Sequence, residues 1–167
     1  TAPEMRYILT KLGNLDGKSL LDIGSGLGEA SVYFATKGAK VTSSDISSGM
    51  LQFTLSLAKL NGVTLKTHLA DAEDLCLKKD DKYDIIYAGN LLHHVDIRKL
   101  LQNISLHIKP GGVFVSWDPI AYNPIINIYR YFASEMRTPD EHPLTLQDIR
   151  IFNNYFYKVE KRYFWFF

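Results

Sequence analysis

Three glycines alternate with other residues immediately after an apolar run that contains an acid. The stretch reads Asp22-Ile23-Gly24-Ser25-Gly26-Leu27-Gly28. Glycine lacks a Cβ and tolerates positive φ, so a ligand can lie directly against the backbone of such a loop. The spacing differs from the Gly-x-Gly-x-x-Gly of dinucleotide-binding folds, whose loop is shaped around a pyrophosphate. An acid two residues before the first glycine instead suits a ligand that carries positive charge near the loop.

Acidic and amide side chains also follow the next three apolar runs. Asp45 ends the second run, Asp71-Ala72 follow the third, and Asn90-Leu91 follow the fourth. Taken singly, Asp45 could cap a helix and Asp71 could be a solvated loop acid. Their order, one after each predicted strand, instead indicates a shared binding site at one edge of a sheet.

Histidines provide candidate general bases. His93-His94 comes shortly after the fourth apolar run, and His142 lies in the polar stretch 137–143. Imidazole titrates near neutral pH, which suits the removal of a proton from an attacking oxygen. Packing or capping by His93-His94, and a solvated loop around His142, remain alternatives. We predict His94 as the catalytic base.

The elements that must position these residues alternate between strand and helix patterns. Helical patterns cover residues 3–12 and 29–37 and follow Ser47, Asp96 and Thr145, each of which can cap a helix. Thr145 and Asp148 resemble a capping box, and Lys109-Pro110-Gly111-Gly112 is expected to end the helix that begins after Asp96. Strand patterns cover residues 19–23, 40–44, 63–70, 83–88 and 113–117, with a last strand from about residue 155.

This alternation predicts a single α/β domain over residues 1–167, doubly wound around a mainly parallel central sheet with helices on both faces. An insertion at 119–143 would lie over the carboxyl edge of the sheet, where ligands of such folds bind.

Bulk properties exclude several classes of function. The chain has 167 residues and a net charge of +1, so no overall field draws it to nucleic acid. Its single cysteine, Cys76, excludes an intramolecular disulfide and fits a reducing, cytoplasmic compartment. No His/Cys cluster has zinc spacing, so we expect no metal. No apolar run is long enough to span a bilayer.

Over residues 20–117 the chain resembles the class I S-adenosylmethionine (SAM)-dependent methyltransferases, with Asp22 to Gly28 as their motif I. The resemblance implies a Rossmann-like methyltransferase fold, SAM as cofactor, and methyl transfer to an acceptor. The cofactor-binding residues that it implies are Asp22, Gly24, Ser25, Gly26, Asp45, Ile46, Met50, Asp71, Ala72, Asn90 and Leu91.

The resemblance also implies a role for each of these positions. The glycine loop would wrap the methionine part of SAM, with Asp22 reaching the amino group through water or backbone, and the backbone after the fourth strand would face the same end. Asp45 would accept hydrogen bonds from both ribose hydroxyls, a task that suits the two oxygens of a carboxylate. Ile46 and Met50 would pack on the adenine faces, and Asp71-Ala72 would bind the adenine amino group.

The segment 90–95 most resembles the branch of the family that methylates small molecules, quinone and lipid precursors included. That branch places its substrate lid before the first strand and after the fifth, which corresponds to 3–12 and 119–143 here. Aromatic residues of the second segment, such as Tyr122 and Tyr129, suit an amphipathic acceptor, although a helix packed on the sheet would use them equally well. The Asn/Asp-Pro-Pro-Tyr/Phe motif for nucleobase or glutamine amines is absent.

Two other functions remain open at this point. A regulatory module that binds SAM or its product without turnover would carry the same cofactor residues, and a nicotinamide-dependent oxidoreductase would need the other glycine spacing. Family members usually end with two further strands, for which only 155–167 remain. We therefore expect either an incomplete C-terminal sheet edge or a longer protein, with membrane association possible only through residues beyond 167.

Overall fold

The computed structural model describes residues 2–120 and 143–164, and its centre is one five-stranded sheet. Every neighbouring pair of strands is parallel, and the order across the sheet is β3-β2-β1-β4-β5. This confirms the doubly wound α/β fold. The strands are β1 (Ser19–Ile23), β2 (Lys40–Asp45), β3 (Lys66–Leu69), β4 (Tyr83–Gly89) and β5 (Ile108–Trp117).

The direction of winding reverses between β1 and β4. From β1 the chain proceeds outward to β2 and β3, and it then returns to the other side of β1 as β4 and β5. The loops that leave β1 and β4 therefore diverge at the carboxyl edge and open a crevice between them. The glycine loop and Asn90 lie in those two loops.

Five helices flank the sheet in the described residues, with short 3-10 turns at Leu92–His94 and Phe152–Asn154. Ser47 caps the third helix by accepting a hydrogen bond from the Met50 N–H, Asp96 caps the fourth, and Thr145 with Asp148 forms the predicted capping box. The helices are α1 (Pro3–Leu12), α2 (Glu29–Thr36), α3 (Ser48–Leu60), α4 (Ile97–His107) and α5 (Leu146–Ile151).

The two faces of the sheet carry separate apolar clusters. Successive strand residues point to opposite faces, so Leu20 packs with Ile8 and Phe34 on one side, while Leu21 packs with Leu100 on the other. All of these side chains are buried. Both clusters include residues of β1 and β4. The two strands that border the crevice are therefore held by packing on both faces of the sheet.

The predicted third strand is too long. It was expected over 63–70, but β3 covers only Lys66–Leu69. Gly62 adopts a φ of 66°, and the Val63 N–H donates to the Ala58 carbonyl oxygen, so these residues close the C-terminus of α3 instead of joining the sheet.

The stretch Lys109-Pro110-Gly111-Gly112 follows the end of α4 as expected, but the predicted start of the fifth strand at residue 113 is wrong. Helix α4 ends at His107, and β5 begins at Ile108, opposite Tyr83. The next registered pair is Ile85 with Val113, so residues 109–112 bulge out of β5 where β4 has only Asp84. Glycine and proline are compatible with a bulge as well as with a turn, so the local sequence does not distinguish the two.

No strand occurs in residues 155–164, where one was predicted. Phe156 stacks on Phe114 of β5 with ring centroids 5.7 Å apart, and Phe164 meets Tyr7 edge-on at 5.8 Å. These rings cover apolar surface without forming a ladder. Aromatic composition therefore misled the prediction, because it reflects packing on a half-buried surface and not backbone pairing.

The predicted insertion 119–143 lies outside the described residues except at its ends, where Ile120 bridges to Leu144. Tyr122, Tyr129 and His142 belong to the part that is not described. Among residues 2–120 and 143–164, no helix is long and apolar enough to cross a membrane. The same residues hold no group of three or more His, Cys, Asp or Glu side chains arranged to hold a metal ion.

Candidate functional site

The glycine loop between β1 and α2 is held in a conformation that side chains would disrupt. Gly28 has a φ of 78°, and a Cβ there would lie 2.3 Å from Thr54 Oγ1 on α3. Gly24 has a φ of 66°, and a Cβ there would lie 2.7 Å from Leu91 Cδ1. The left-handed backbone and the close neighbours both require glycine, so the loop lies tightly between α3 and the segment after β4.

Asp22 is buried beneath this loop, with 1% of its surface exposed. The Ser31 hydroxyl donates a 2.6 Å hydrogen bond to Asp22 Oδ2. Burial raises the pKa of Asp22 to about 7, with a smaller contribution from the charge of Asp45, and the Ser31 bond opposes the rise. A carboxyl group with a pKa near 7 loses its proton when a cation binds beside it, because the positive charge favours the ionised form.

Asp45 connects the end of β2 to two neighbouring elements. Its Oδ2 accepts from the Gly26 N–H and its Oδ1 accepts from the Ser47 N–H, each at 2.8 Å. Ser47, not Asp45, is the cap of α3. Each carboxylate oxygen can accept a second donor, so Asp45 is held rigidly with both oxygens still able to bind hydroxyl groups.

Exposed apolar side chains lie beyond Asp45 along the chain. Ile46 is 72% exposed and Met50 is 40% exposed, which rules out core packing as the role of Met50. The Ala70 N–H donates to the Asp45 carbonyl oxygen, so Asp71 begins directly beside this edge. The Asp71 carboxylate accepts from the Glu73 N–H at 2.8 Å and is otherwise exposed.

The segment after β4 forms the opposite wall of the crevice. Asn90 has a φ of 53°, and its N–H donates to the Trp117 carbonyl oxygen at 2.8 Å. A non-glycine residue in this region is uncommon and occurs most often at turns and functional sites. A cavity of about 590 Å³ lies between this segment, the glycine loop and α1, and its lining includes Asp22, Gly24, Ser25 and Asn90.

The two adjacent histidines have different surroundings. His93 is buried, and its Nδ1 is hydrogen-bonded to Asp118 Oδ1 at 2.9 Å. Asp118 also accepts from the Leu92 N–H, while its Oδ2 is buried without a partner. Burial raises the pKa of Asp118, and the bond to His93 opposes the rise. This pair anchors the 3-10 turn that follows Asn90 to the end of β5.

His94 is exposed, and its ring centroid lies 4.0 Å from that of His93. It lines a second cavity of about 640 Å³ together with Glu73 and Arg98, and it does not line the first. Its assignment as the catalytic base therefore stays a prediction.

The structure thus brings the predicted residues to one edge of the sheet in two groups. Asp22, Gly24, Ser25 and Asn90 line the first cavity. The Gly26 N–H joins this group to the second through its hydrogen bond to Asp45, and the Leu91 side chain lies against Gly24. Asp45, Ile46, Asp71 and Ala72 lie at or after the ends of β2 and β3, and Met50 lies in the first turn of α3, all outside its lining.

Sequence reasoning missed Glu4 of α1 and Tyr87 of β4, which line the same cavity. Glu4 could have been found, because it precedes Ile8 and Leu12 at helical spacing and so lies on the buried stripe of α1. Tyr87 was counted only as part of an apolar strand.

Comparison with known proteins agrees with this arrangement. The family described as "Methyltransferase domain" matches residues 21–116, which is more than half of the chain. A ubiquinone biosynthesis O-methyltransferase of Aeromonas salmonicida (strain A449) is 37% identical over 121 residues, covering 70% of this chain and 51% of the relative. A protein of the same name from Haemophilus ducreyi is 35% identical over 112 residues, covering 64% and 48%. The chain therefore spans about half the length of these relatives.

Solved structures share the fold. The YcgJ protein from Bacillus subtilis superposes with a TM-score of 0.74 at 23% identity, covering 88% of this chain and 64% of that one. An S-adenosylmethionine-dependent methyltransferase from Mesorhizobium loti superposes with a TM-score of 0.61 at 28% identity, covering 71% and 55%. The residues matched by the family, 21–116, include part or all of every strand and both walls of the crevice, so this chain belongs to the class I SAM-dependent methyltransferases.

Proposed function

We propose that this chain transfers a methyl group from SAM to a small, amphipathic acceptor bound in the crevice between β1 and β4. SAM is the cofactor of the family. The observation that carries the proposal is the setting of Asp45, whose two oxygens are fixed by the Gly26 and Ser47 N–H groups while each can still accept a ribose hydroxyl.

The remaining residues fit the two ends of such a cofactor. Ile46 and Met50 offer exposed apolar surface next to Asp45 for an adenine ring, and Asp71-Ala72 begin beside the same edge. At the other end, the buried Asp22 and the glycine loop suit an amino group and a sulfonium, because burial strengthens the interaction of a carboxylate with a cation.

The chemistry asks the protein mainly for alignment. SAM, when bound, supplies an activated methyl group. The Asn90 backbone, held by Trp117, and the 3-10 turn, held by Asp118, form a rigid wall against which an acceptor can be oriented. Orientation of this kind contributes roughly 7–11 kcal/mol to a two-reactant step.

The names of the relatives favour a hydroxyl oxygen as the methylated atom. An oxygen acceptor must lose its proton, and His94 is our candidate to take it. Met5, Tyr33 and Trp117 line the cavity and suit an acceptor with an apolar body. A cytoplasmic location, consistent with the free thiol of Cys76, is part of the proposal.

Turnover distinguishes this enzyme from a regulatory module that only binds SAM. The chain is incubated with methyl-labelled SAM and a panel of hydroxylated aromatic compounds, and both label transfer and release of S-adenosylhomocysteine (SAH) are measured. Transfer to a panel member that depends on Asp45 supports the enzyme. Tight binding of SAH without transfer to any compound, in the presence of extracts containing small metabolites, would favour the regulatory module.

A further inference from the structure

Glu4 occupies an unusual place for a carboxylate. It lies in the first turn of α1 and is only 9% exposed, on the same stripe as the core residues Ile8 and Leu12. Its Oε2 atom is buried and has no hydrogen-bond partner. Burying an unpaired carboxylate oxygen opposes folding, and an apolar residue would serve the helix better. Packing of the apolar core therefore does not explain why a carboxylate occupies this position on the buried face of α1.

The cavity beside Glu4 continues from the cofactor loop. Glu4 and Met5 form one side of the space of about 590 Å³, and Asp22, Gly24 and Asn90 form the other. Asp45 and Ile46 are not part of its lining. Only the methionine end of the proposed cofactor therefore enters this space, and the side near α1 is left for the acceptor.

The charges around this space have one sign. Among the described residues that line it, the charged side chains are Glu4, Asp22 and Glu29, and none is basic. Burial raises the pKa of the Tyr87 hydroxyl, and the charges of Asp22, Asp118 and Glu4 raise it further, so these carboxylates converge on one aromatic group. Aromatic rings combined with carboxylates are the surroundings that recognise a cationic amine.

We propose that the acceptor carries a protonated amine and that Glu4, which lines the cavity, binds it, with an ammonium N–H donating to the Glu4 carboxylate. Glu4 is then a specificity-determining residue, separate from the atom that receives the methyl group. The inference rests on the proposed function for the position of the cofactor, and it narrows the acceptor from any amphipathic molecule to a cationic one.

Three probes with one aromatic body test this on the unmodified chain. They are tyramine, the neutral 4-ethylphenol and the anionic 3-(4-hydroxyphenyl)propionate, titrated calorimetrically with and without SAH. We expect tyramine to bind about tenfold more tightly than 4-ethylphenol, as a charge-assisted hydrogen bond implies, and the anion to bind most weakly. Equal affinities, or preference for the anion, would overturn the inference.

Variants assign the preference to Glu4. Glu4→Gln is expected to reduce tyramine affinity about tenfold, to the level of 4-ethylphenol, while SAH affinity stays unchanged. Because the Glu4 Oε2 atom is buried without a hydrogen-bond partner, the variant should melt no lower than the parent chain. Glu4→Leu provides a second variant with the same expected loss. Glu160→Gln is the matched control, since Glu160 contacts Lys11 of the same helix at the surface.

Loss of SAH affinity in Glu4→Gln by the same factor as tyramine affinity would place Glu4 in the cofactor site and contradict the inference. Unchanged tyramine affinity would contradict it as well. Failure of the parent chain to bind SAH would instead count against the proposed function, and the ranking of the three probes without SAH would still decide the role of Glu4.

Discussion

The Gly26 N–H donates a 2.8 Å hydrogen bond to Asp45 Oδ2, which joins the glycine loop to the end of the neighbouring strand. The other oxygen of Asp45 accepts from the Ser47 N–H at the start of α3. One carboxylate thus fixes the loop, the strand and the helix relative to one another. The group that we propose to bind the ribose is also the group that shapes the loop around the rest of the cofactor.

The raised pKa of Asp22 makes SAH binding dependent on pH. The pKa rises from 3.8 to about 7 in the folded chain, so the carboxyl is half protonated near neutral pH. The amino group of SAH favours the ionised form of Asp22, so SAH affinity should rise as pH increases from 6 to 8, roughly one unit either side of the pKa. Protons should also be released when SAH binds. Calorimetry in two buffers of different ionisation enthalpy measures both.

Asp22→Asn should remove this pH dependence and lower SAH affinity about tenfold or more. The same shift acts on stability. Because the folded pKa lies above the unfolded one, the free energy of unfolding falls as pH rises between 3.8 and about 7, and this slope should disappear in Asp22→Asn. A pH-independent affinity in the parent chain would count against a charged contact at Asp22.

Gly28→Ala should destabilise the loop through two separate effects. Its φ of 78° disfavours an alanine by about 1–2 kcal/mol, and the new Cβ would lie 2.3 Å from Thr54 Oγ1, which adds roughly 1–3 kcal/mol. Gly17→Ala is the matched control, because Gly17 has a φ of 72° with nothing within 4 Å of the added Cβ. Urea unfolding measures both variants. Equal losses would show that α3 yields without cost and that the loop is not tightly held.

Asp84, near the start of β4, stabilises the amino-terminal edge of the sheet, opposite the crevice. Its Oδ2 accepts from Lys109 Nζ at 2.8 Å, from the Ser19 hydroxyl at 2.7 Å and from the Ser19 N–H at 2.8 Å. These bonds hold the pKa of Asp84 well below its usual value, with Lys109 the largest cause. We expect Asp84→Asn to lower the free energy of unfolding at pH 7 by about 1 kcal/mol, because Asp84 and Lys109 are each more than a third exposed and solvent screens their ion pair.

The pH dependence of this loss has a defined sign. Because the folded pKa is depressed, the stabilisation is present above 3.8 and is lost as pH falls below it. The free energy of unfolding at pH 7 minus that at pH 3 should therefore be lower in Asp84→Asn than in the parent chain. The exposed Asp80 provides the control variant Asp80→Asn, which should match the parent at both pH values.

Substitution of the two histidines should affect different properties, catalysis for His94 and stability for His93. If His94 is the base, His94→Gln lowers kcat about 10²–10⁴-fold and removes the acidic limb of the pH–rate profile, with SAH affinity unchanged. His93→Gln should instead lower stability by about 1–3 kcal/mol, because the buried Asp118 carboxylate loses its bond to the His93 ring. An unaltered pH profile in His94→Gln would mean that alignment alone carries the reaction.

Local sequence predicted the parts of the fold that depend on local chemistry. The caps at Ser47 and Thr145, the glycine loop and the position of Asp45 at the end of β2 were all found from residue type and spacing. Each of these features is decided within a few residues of the chain. Strand order was not found, because it depends on which strands pair across the whole domain.

The errors have a shared physical origin. The bulge at 109–112 and the missing strand after residue 155 both depend on what lies opposite the segment in space, which the local pattern does not contain. The bond between His93 and Asp118 likewise joins residues 25 positions apart, and it exists because β4 and β5 are neighbours. Glu4 shares a helix face with Ile8 and Leu12, but its burial depends on how α1 packs on the sheet, which the helical pattern of residues 3–12 does not contain.

Thermal unfolding with and without SAH tests the central claim most directly. At one hundred times its dissociation constant, a ligand adds about 2.7 kcal/mol, which corresponds to roughly 5–10 °C in Tm for a chain of this size. We predict this shift for the parent chain and for the surface control Asp80→Ala, its loss in Asp45→Ala, and no shift with NAD. A folded chain whose Tm is unchanged by SAH, or a shift that survives in Asp45→Ala, would contradict the proposed cofactor site.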